Sequence, residues 1–416
     1  MESRINKVLP QVYLLFVISS TFSIALAQIS LGLCSLLFIY LFFSYDIKVN
    51  HAPIKYLYYS VLGYILWLVI SSLFGSSPVE SIMIIKEEWL FLALPIGIYL
   101  LRDENFRKKL VYVFALATLI VSVYGLIQLF TGYNLYKETL PINEYGNAYQ
   151  IYGMFSHRLT FGNYFGTVSM FLFGIYVVSS PALGKNIRLT IFWGAVLAMV
   201  ATVLTLSRGP IASLGVVLIM SGFLMHKKFH LYSIPLLVLL IVLVFSFVPD
   251  FSEKFTKKLY ADTSTEYEGS RRFIWSNSIK IIKENLFLGV GQGNFRKEYV
   301  KHLRADIHEE RKHSHAHNDF LNISAISGIP GGVIFLLIWI FLFIALFKKW
   351  KVLKNRNDLD SGILSGAILA SLFFLLSSMT EATFADEEVR QMLMFIWASG
   401  LALVVYEGKY NRAEIT

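Results

Sequence analysis

Long apolar stretches separated by short polar segments run along the chain from residue 9 to residue 406. A membrane-spanning helix needs about 20 mostly apolar residues, because lipid offers the backbone no hydrogen-bond partner. The pattern therefore predicts an all-α integral membrane protein with about twelve transmembrane helices. The predicted spans are 9–27, 29–45, 55–75, 81–101, 109–131, 161–181, 189–206, 209–225, 231–249, 329–347, 361–381 and 389–406.

The polar residues between the predicted spans indicate the orientation of the chain. Lys and Arg in short loops mark the cytoplasmic side of a membrane protein. The short connections near residue 28, at 76–80 and at 382–388 contain no Lys or Arg, whereas the loops on the other side contain many. We therefore predict that both termini lie in the cytoplasm. The supporting cationic residues are Arg4, Lys7, Lys48, Lys55, Arg102, Arg107, Lys108, Lys109, Lys185, Arg188, Lys227, Lys228, Lys348, Lys349, Lys351, Lys354, Arg356, Lys409 and Arg412.

Two segments on the predicted outer side are longer than simple turns. They are 132–160 and 250–316, and the second contains thirteen Lys and Arg. We expect three parts: nine spans with the first loop (1–249), an outer helical insertion (250–316) and a last part with three spans (317–416). Because long loops cross a membrane whatever their charge, the basic insertion indicates an anionic partner such as a phosphate or diphosphate.

Composition agrees with a membrane protein and narrows the possible partners. The chain is 56% hydrophobic and 16% charged, against about 45–50% and about 25% in soluble domains. The net charge of +9 more often orients a multi-spanning protein than binds nucleic acid, so we expect membrane lipids and no nucleic acid as partners. The single cysteine, Cys34, allows no internal disulfide or cysteine metal cluster. The first apolar run is interpreted as a retained span rather than a cleaved signal.

Arg208, in the stretch LTLSRGPIASL, is the only charged residue between the predicted spans 189–206 and 209–225. Helix N-termini attract phosphate, and Ser207 is a candidate cap for the helix that follows. Arg208 is therefore a candidate anion ligand. The alternative is an arginine that only reaches for the membrane interface.

The outer insertion offers three more arginines, in EGSRRFIW and LGVGQGNFRKEYV. The first stretch predicts a helix that ends at Asn285. Arg271, Arg272 and Arg296 suit two-point contacts with phosphate, although a solvated basic face is an alternative. The GVGQG stretch lacks the surrounding βαβ unit of a dinucleotide fingerprint.

Two further cations lie near the predicted outer surface. Lys86, followed by two glutamates, falls in the outer half of the fourth predicted span, where an unpaired charge is costly. Arg158, next to His157, begins the sixth span. Both are candidate substrate-binding residues. The alternatives are a Lys–Glu pair that holds helices together and simple anchoring at the interface.

The stretch HSHAHNDFLNISAISGIPGG, residues 313–332, concentrates titratable chemistry at the outer lip of a span. His317 is a candidate general base, because a neutral imidazole can accept a proton near pH 7. Asn318 beside it is a candidate substrate-binding residue. We interpret the remaining histidines as a solvated cluster and expect no metal site or cofactor, because no clear carboxylate completes a metal-binding trio. The remaining histidines of this region are His302, His308, His313 and His315.

These residues resemble a known family. His317-Asn318, followed after nine residues by Gly328-Ile329-Pro330-Gly331, is similar to the H-N-x9-G-x-x-G pattern of the O-antigen ligases. The stretches SRG (207–209), SRRFIW (270–275) and GVGQGNF (289–295) occur in the expected order.

The resemblance implies a GT-C-like, metal-independent glycosyltransferase in a bacterial inner membrane, with a periplasmic active site. The implied donor is a glycan on undecaprenyl diphosphate, and the implied acceptor is a hydroxyl of the lipid A core. By resemblance, His317 is the catalytic base, Arg208 and Arg271 serve the diphosphate, and Arg296 and Lys86 match less closely. The alternatives are a glycan polymerase of the same superfamily, a pilin O-oligosaccharyltransferase and a transporter. A transporter is disfavoured, because the charges gather at the outer face rather than at mid-membrane.

Overall fold

A computed structural model describes residues 2–45, 51–136, 139–142, 148–225, 228–247, 256, 269–303 and 313–406. Several residues with a predicted role lie outside these ranges, including His308 and the orienting charges Lys48, Lys227, Lys409 and Arg412. The same applies to most of 250–268 and to 304–312 in the outer insertion.

The described residues form fifteen α-helices and no strand, which confirms the expectation of an all-helical chain for this part of the molecule. In chain order the helices are α1 (Glu2–Ser19), α2 (Ile24–Ser44), α3 (Lys55–Leu73), α4 (Pro78–Ile85), α5 (Ala93–Leu100), α6 (Glu104–Thr131), α7 (Arg158–Ser179), α8 (Lys185–Leu204), α9 (Arg208–Leu224), α10 (Lys228–Phe247), α11 (Arg271–Glu284), α12 (Phe295–Lys301), α13 (Asp319–Leu353), α14 (Leu359–Ser377) and α15 (Glu387–Val405).

Eight of the described helices are long and apolar enough to cross a membrane, and three more are shorter but apolar. The fourth predicted span is not one helix. It consists of α4 and α5, joined by a 3-10 turn at Lys86–Leu92. The turn contains Glu88, whose buried carboxylate pairs with Arg390 of α15 at 3.0 Å. A long-range ion pair thus lies at the break in this segment.

The centre of the bundle is made by α7, α14 and α15. Helix α15 is buried from Glu388 to Val405. Helices α7 and α14 approach closely because glycines face each other: a Cβ on Gly174 would lie 2.5 Å from the backbone of Gly366. Small residues at such crossings let helix backbones meet in a membrane bundle. These three helices hold the loops that carry the candidate site.

Helix α13 bends sharply where its sequence reads SGIPGG. Gly328 has φ +71° and ψ 176°, which a residue with a Cβ rarely adopts. Pro330 has no N–H, so the carbonyl of Ile326 is free of its usual helical partner. That carbonyl instead accepts hydrogen bonds from the backbone N–H of Gly291 at 2.9 Å and from Ser71 Oγ at 2.8 Å. The bend therefore serves as an attachment point for the segment between α11 and α12.

The attached segment belongs to a second, smaller apolar core. Backbone N–H groups of Val290 and Ile329 donate across the contact to Ala325 (3.0 Å) and Leu286 (2.8 Å). Around them the small core packs α11 and α12 against the first half of α13. Its buried members are Ile274, Ile281, Val290, Phe295, Tyr299, Ala316, Ala325 and Ile326. This packing fixes the start of α11 relative to the start of α13.

Candidate active site

The segment before α13 holds His317 in an unusual backbone conformation. His317 has φ +49°, one of two positive values among the described non-glycine residues. Asn318 follows as the N-cap of α13: its Oδ1 accepts from Leu321 N at 3.0 Å, and its Nδ2 donates to Met379 O at 2.9 Å. The Asn318 side chain is buried, and both its amide oxygen and its amide nitrogen make hydrogen bonds. These hydrogen bonds hold the backbone next to His317, and the role of Asn318 as a substrate-binding residue stays a prediction.

The His317 ring lies between a carboxylate and a second histidine. Its Nδ1 is 3.1 Å from Glu381 Oε2 in the turn after α14, and its Nε2 is 3.4 Å from His313 Nδ1. A carboxylate only accepts hydrogen bonds, so contact with an ionised Glu381 assigns the ring proton to Nδ1. The contact with His313 is longer than the usual 2.9–3.0 Å. With the ring proton on Nδ1, Nε2 is the acceptor atom of the ring and faces His313.

Burial and nearby positive charge keep the His317 ring neutral. Burial is the largest cause that lowers its pKa, to about 2, and Arg271, His313 and His157 lower it further. Burial likewise lowers the pKa of His315 to about 3. His313 and His315 are only partly exposed, and the ring centroids of His315 and His317 lie 4.2 Å apart. The prediction of a solvated cluster is therefore wrong for His313 and His315, which pack around His317.

Arg271 reaches the same glutamate from α11. Its Nη2 lies 2.5 Å from Glu381 Oε1. Ser270 caps the helix, with its Oγ accepting from Phe273 N at 3.0 Å, and so fixes the position of Arg271 at the first turn. Burial raises the pKa of the Glu381 carboxyl, and the Arg271 guanidinium acts in the opposite direction. Arg271, Glu381 and His317 thus form a continuous chain of contacts.

Arg208 begins α9 directly beside this chain. A Cβ on Gly209, the next residue, would lie 2.2 Å from Thr380 Oγ1 and 3.9 Å from Glu381 Cγ. A side chain at position 209 would collide with Thr380, so the glycine lets the first turn of α9 approach the Glu381 turn closely. Ser207 occupies the N-cap position, but its side chain makes no capping bond among the described residues, so the predicted cap is wrong.

The first turn of α7 completes this end of the bundle. Thr160 Oγ1 donates to Asp386 Oδ2 at 2.8 Å, which joins α7 to the turn before α15. Arg158 begins α7, and its buried Nη1 has no hydrogen-bond partner among the residues that the structure describes. His157 caps the helix and lies within electrostatic range of His317 and Glu381. We call this face of the bundle, with the starts of α7, α9, α11, α13 and α15, the histidine end.

Three of the candidates, Lys86, Arg272 and Arg296, have exposed side chains. Lys86 is exposed in the 3-10 turn, and the buried ion pair of that turn is Glu88–Arg390. Arg272 is exposed next to Arg271, and Arg296 is exposed on α12. The geometry thereby separates Arg271 from its neighbour, which sequence order could not do.

Glu381 is the residue that sequence reasoning missed. It begins the stretch EATFADEE. In the predicted topology, residues 382–388 of this stretch serve only as a short connection without Lys or Arg that indicates orientation. Four carboxylates within eight residues between two apolar spans are a signal in themselves, because charged groups at a membrane lip are costly and often functional. No group of three or more His, Cys, Asp or Glu side chains with metal-binding geometry is found among the described residues.

Comparison with known proteins agrees with the motif-based resemblance. Residues 193–336 match the family model of the O-antigen ligases, and this segment includes Arg208, Arg271 and His317. A search of curated proteins found no match. The family match confirms the resemblance over residues 193–336, which are 144 of the 416 residues of the chain. Members of that family are glycosyltransferase-like enzymes that act on lipid-linked sugars.

Proposed function

We propose that the protein is an O-antigen ligase that transfers a glycan from undecaprenyl diphosphate to a hydroxyl of the lipid A core. The observation that carries the proposal is the chain of contacts from Arg271 through Glu381 to His317, with Arg208 beginning the helix that packs on Glu381. A base, its orienting carboxylate and arginines suited to a diphosphate thus converge at one end of an apolar bundle. In this proposal the histidine end faces the periplasm, and both termini lie in the cytoplasm of a Gram-negative inner membrane.

The proposed reaction is a single displacement. His317 Nε2 takes the proton from the acceptor hydroxyl, whose oxygen forms a bond to the anomeric carbon. The bond between that carbon and the diphosphate oxygen breaks, and the diphosphate leaves with the electron pair. The anomeric configuration is inverted. Glu381 accepts a hydrogen bond from the Nδ1–H throughout and so orients the ring. In other nucleophile–base pairs a third residue orients the base in the same way.

The arginines stabilise the charge that develops on the leaving group. Fixed cationic donors act strongly where charge appears in the transition state, and Arg208 and Arg271 are the candidates, with Arg158 near them. Arg296, Arg272 and Lys86 lie further out and are proposed only to guide the anionic donor. This assignment requires no divalent metal.

Donor binding also prepares the base. Burial, the largest cause, and Arg271 lower the pKa of His317 to about 2, so His317 is a weak base without the donor. General bases work best near the operating pH. A bound diphosphate opposes the field of Arg271 and raises the pKa of His317. The base is thus expected to become effective only when the donor is in place.

The test is glycan transfer by the purified full-length protein in proteoliposomes that contain a lipid-linked glycan. One arm adds rough lipopolysaccharide as acceptor, and the other adds only more donor. Capping of the lipopolysaccharide indicates a ligase, whereas longer glycan chains indicate the superfamily's polymerase activity, which shares the same chemistry.

The critical variant is His317→Ala, with His302→Ala as the matched control. Removal of a general base lowers the rate by about 10²–10⁴-fold, and we expect such a loss for His317→Ala. His302 contacts Glu284 at 3.3 Å in the insertion, so its variant should keep its activity. Full transfer by His317→Ala would refute the proposed base.

A further inference from the structure

A cavity of about 210 Å³ lies beside the candidate active site. Its wall is formed by the 3-10 turn after α4, the segment before α12, the start of α13 and the turn before α15. An engineered cavity of about 150 Å³ accepts a benzene molecule, so this cavity can hold one six-membered ring. The wall residues used below are Glu87, Gln292, Phe295, His315, Asp386 and Arg390.

The wall has the chemistry of a site for a neutral, hydroxyl-rich ring. Glu87 and Asp386 supply carboxylate acceptors, Gln292 supplies an amide, and Phe295 supplies an apolar face. The wall cation, Arg390, is already paired with Glu88 at 3.0 Å and donates from Nε to Phe384 O at 3.0 Å. Because the wall carries two acidic side chains and this cation is engaged, a diphosphate is disfavoured here.

Gln292 lacks a protein partner for its amide oxygen. The residue is 9% exposed, and its Oε1 has no hydrogen-bond partner among the residues that the structure describes. Its backbone is fixed, because Ser81 Oγ donates to Gln292 O at 2.7 Å. A buried polar atom without a partner costs free energy that a ligand hydroxyl can recover. Gln292 therefore points to a ligand that donates hydrogen bonds.

The cavity reaches the proposed base, His317, through His315. His315 lies at the end of the chain of contacts opposite Arg271. Arg271 touches Glu381, Glu381 touches His317, and His317 packs on His315, which lines the cavity. In the proposed displacement the nucleophile and the leaving group lie on opposite sides of the anomeric carbon. We propose that this cavity binds the sugar ring of the acceptor, with its hydroxyls donating to Gln292 and Asp386. The inference rests on the proposed function.

The test compares Gln292→Leu with wild type in two measurements. Leucine keeps the approximate volume and removes no described hydrogen bond of the Gln292 side chain, so the variant should fold normally. The first measurement is the KM for rough lipopolysaccharide and for the lipid-linked donor. The second is direct binding of two soluble probes without turnover: deacylated core oligosaccharide and the glycan released from the donor. Gln11→Leu, at an exposed position in α1, is the matched control.

We expect Gln292→Leu to raise the acceptor KM and the Kd for core oligosaccharide by about 2- to 10-fold, the value of one neutral hydrogen bond. The donor KM and the Kd for the donor glycan should stay unchanged. Unchanged acceptor constants, or a shift confined to the donor constants, would overturn the assignment. If wild type binds core oligosaccharide in a Gln292-dependent way but transfers nothing, the cavity assignment stands and the proposed function fails.

Discussion

Two arginine–glutamate pairs lie at the histidine end, and they differ in their access to solvent. Arg271 and Glu381 meet at 2.5 Å with 27% and 6% of their side chains exposed, and Glu381 also contacts His317. Arg390 and Glu88 meet at 3.0 Å with 3% of each side chain exposed. The first pair can exchange a partner with an incoming anion, whereas the second has little room to do so. We therefore expect the first pair to serve binding and the second to serve folding.

The enclosed pair should give the largest effect when broken. Arg390→Ala leaves Glu88 buried without its partner, and such changes cost about 3–5 kcal/mol. We expect a clear loss of thermal stability in detergent micelles, with α15 displaced from the 3-10 turn at Lys86–Leu92. Arg188→Ala, at an exposed position, is the control. A variant as stable as wild type would show that the Arg390–Glu88 pair does not hold the fold.

The accessible pair should instead affect turnover. Arg271→Ala removes a guanidinium from the proposed diphosphate site, and loss of one such donor lowers rates by about 10²–10³-fold. We expect that loss in kcat/KM for the donor, with a smaller loss of thermal stability than for Arg390→Ala, because Glu381 keeps its contact with His317. Arg272→Ala sharpens the comparison, because the neighbouring side chain is exposed and should change kcat/KM by only a few fold. Equal losses for the two variants would contradict the assignment of Arg271.

The smallest effect is expected from pH. The folded pKa of His317 is lowered to about 2, whereas an unfolded histidine titrates near 6.5. Between these values the unfolded chain binds the extra proton, so His317 lowers the stability of the folded state as pH falls below 6.5. His317→Gln cannot titrate. The variant should therefore gain about 1 kcal/mol relative to wild type for each pH unit below 6.5, measured by unfolding in micelles without donor. A constant difference from pH 7 to pH 5 would show an ordinary pKa.

Hydropathy was sufficient to predict that the described part of the chain is all-helical, because lipid leaves an apolar segment few alternatives. It did not predict the break at Lys86–Leu92. Averaging over a window hides three consecutive charged residues, and the pair Glu88–Arg390 joins positions that are 302 residues apart. The glycines and the proline around Gly328 are typical of a bend. No local pattern indicates that the bend pairs with the segment 286–291.

Sequence reasoning could name candidate site residues only where a local motif contained them. His317, Arg208 and Arg271 each lie in a short recognisable stretch. Glu381 contacts His317 and Arg271, and the start of α9 at Arg208 packs against the Glu381 turn. Glu381 and Gln292 lie in no such stretch. Their proximity to His317 arises only when the helices pack, so no spacing in the sequence indicates it.

The close backbone contact between the segment at Gly289 and the bend at Gly328 limits how the candidate site can move. A Cβ on Gly289 would lie 2.4 Å from Ser327 N, and one on Gly328 would lie 2.1 Å from Phe287 O. Such tight backbone contact couples the insertion that carries Arg271 to the helix that follows His317, so the two should shift as a unit. Adaptation to glycans of different size must then come from other borders of the site, such as the turn that bears Glu381. A bulkier residue at position 289 would misalign guanidinium and imidazole while touching neither.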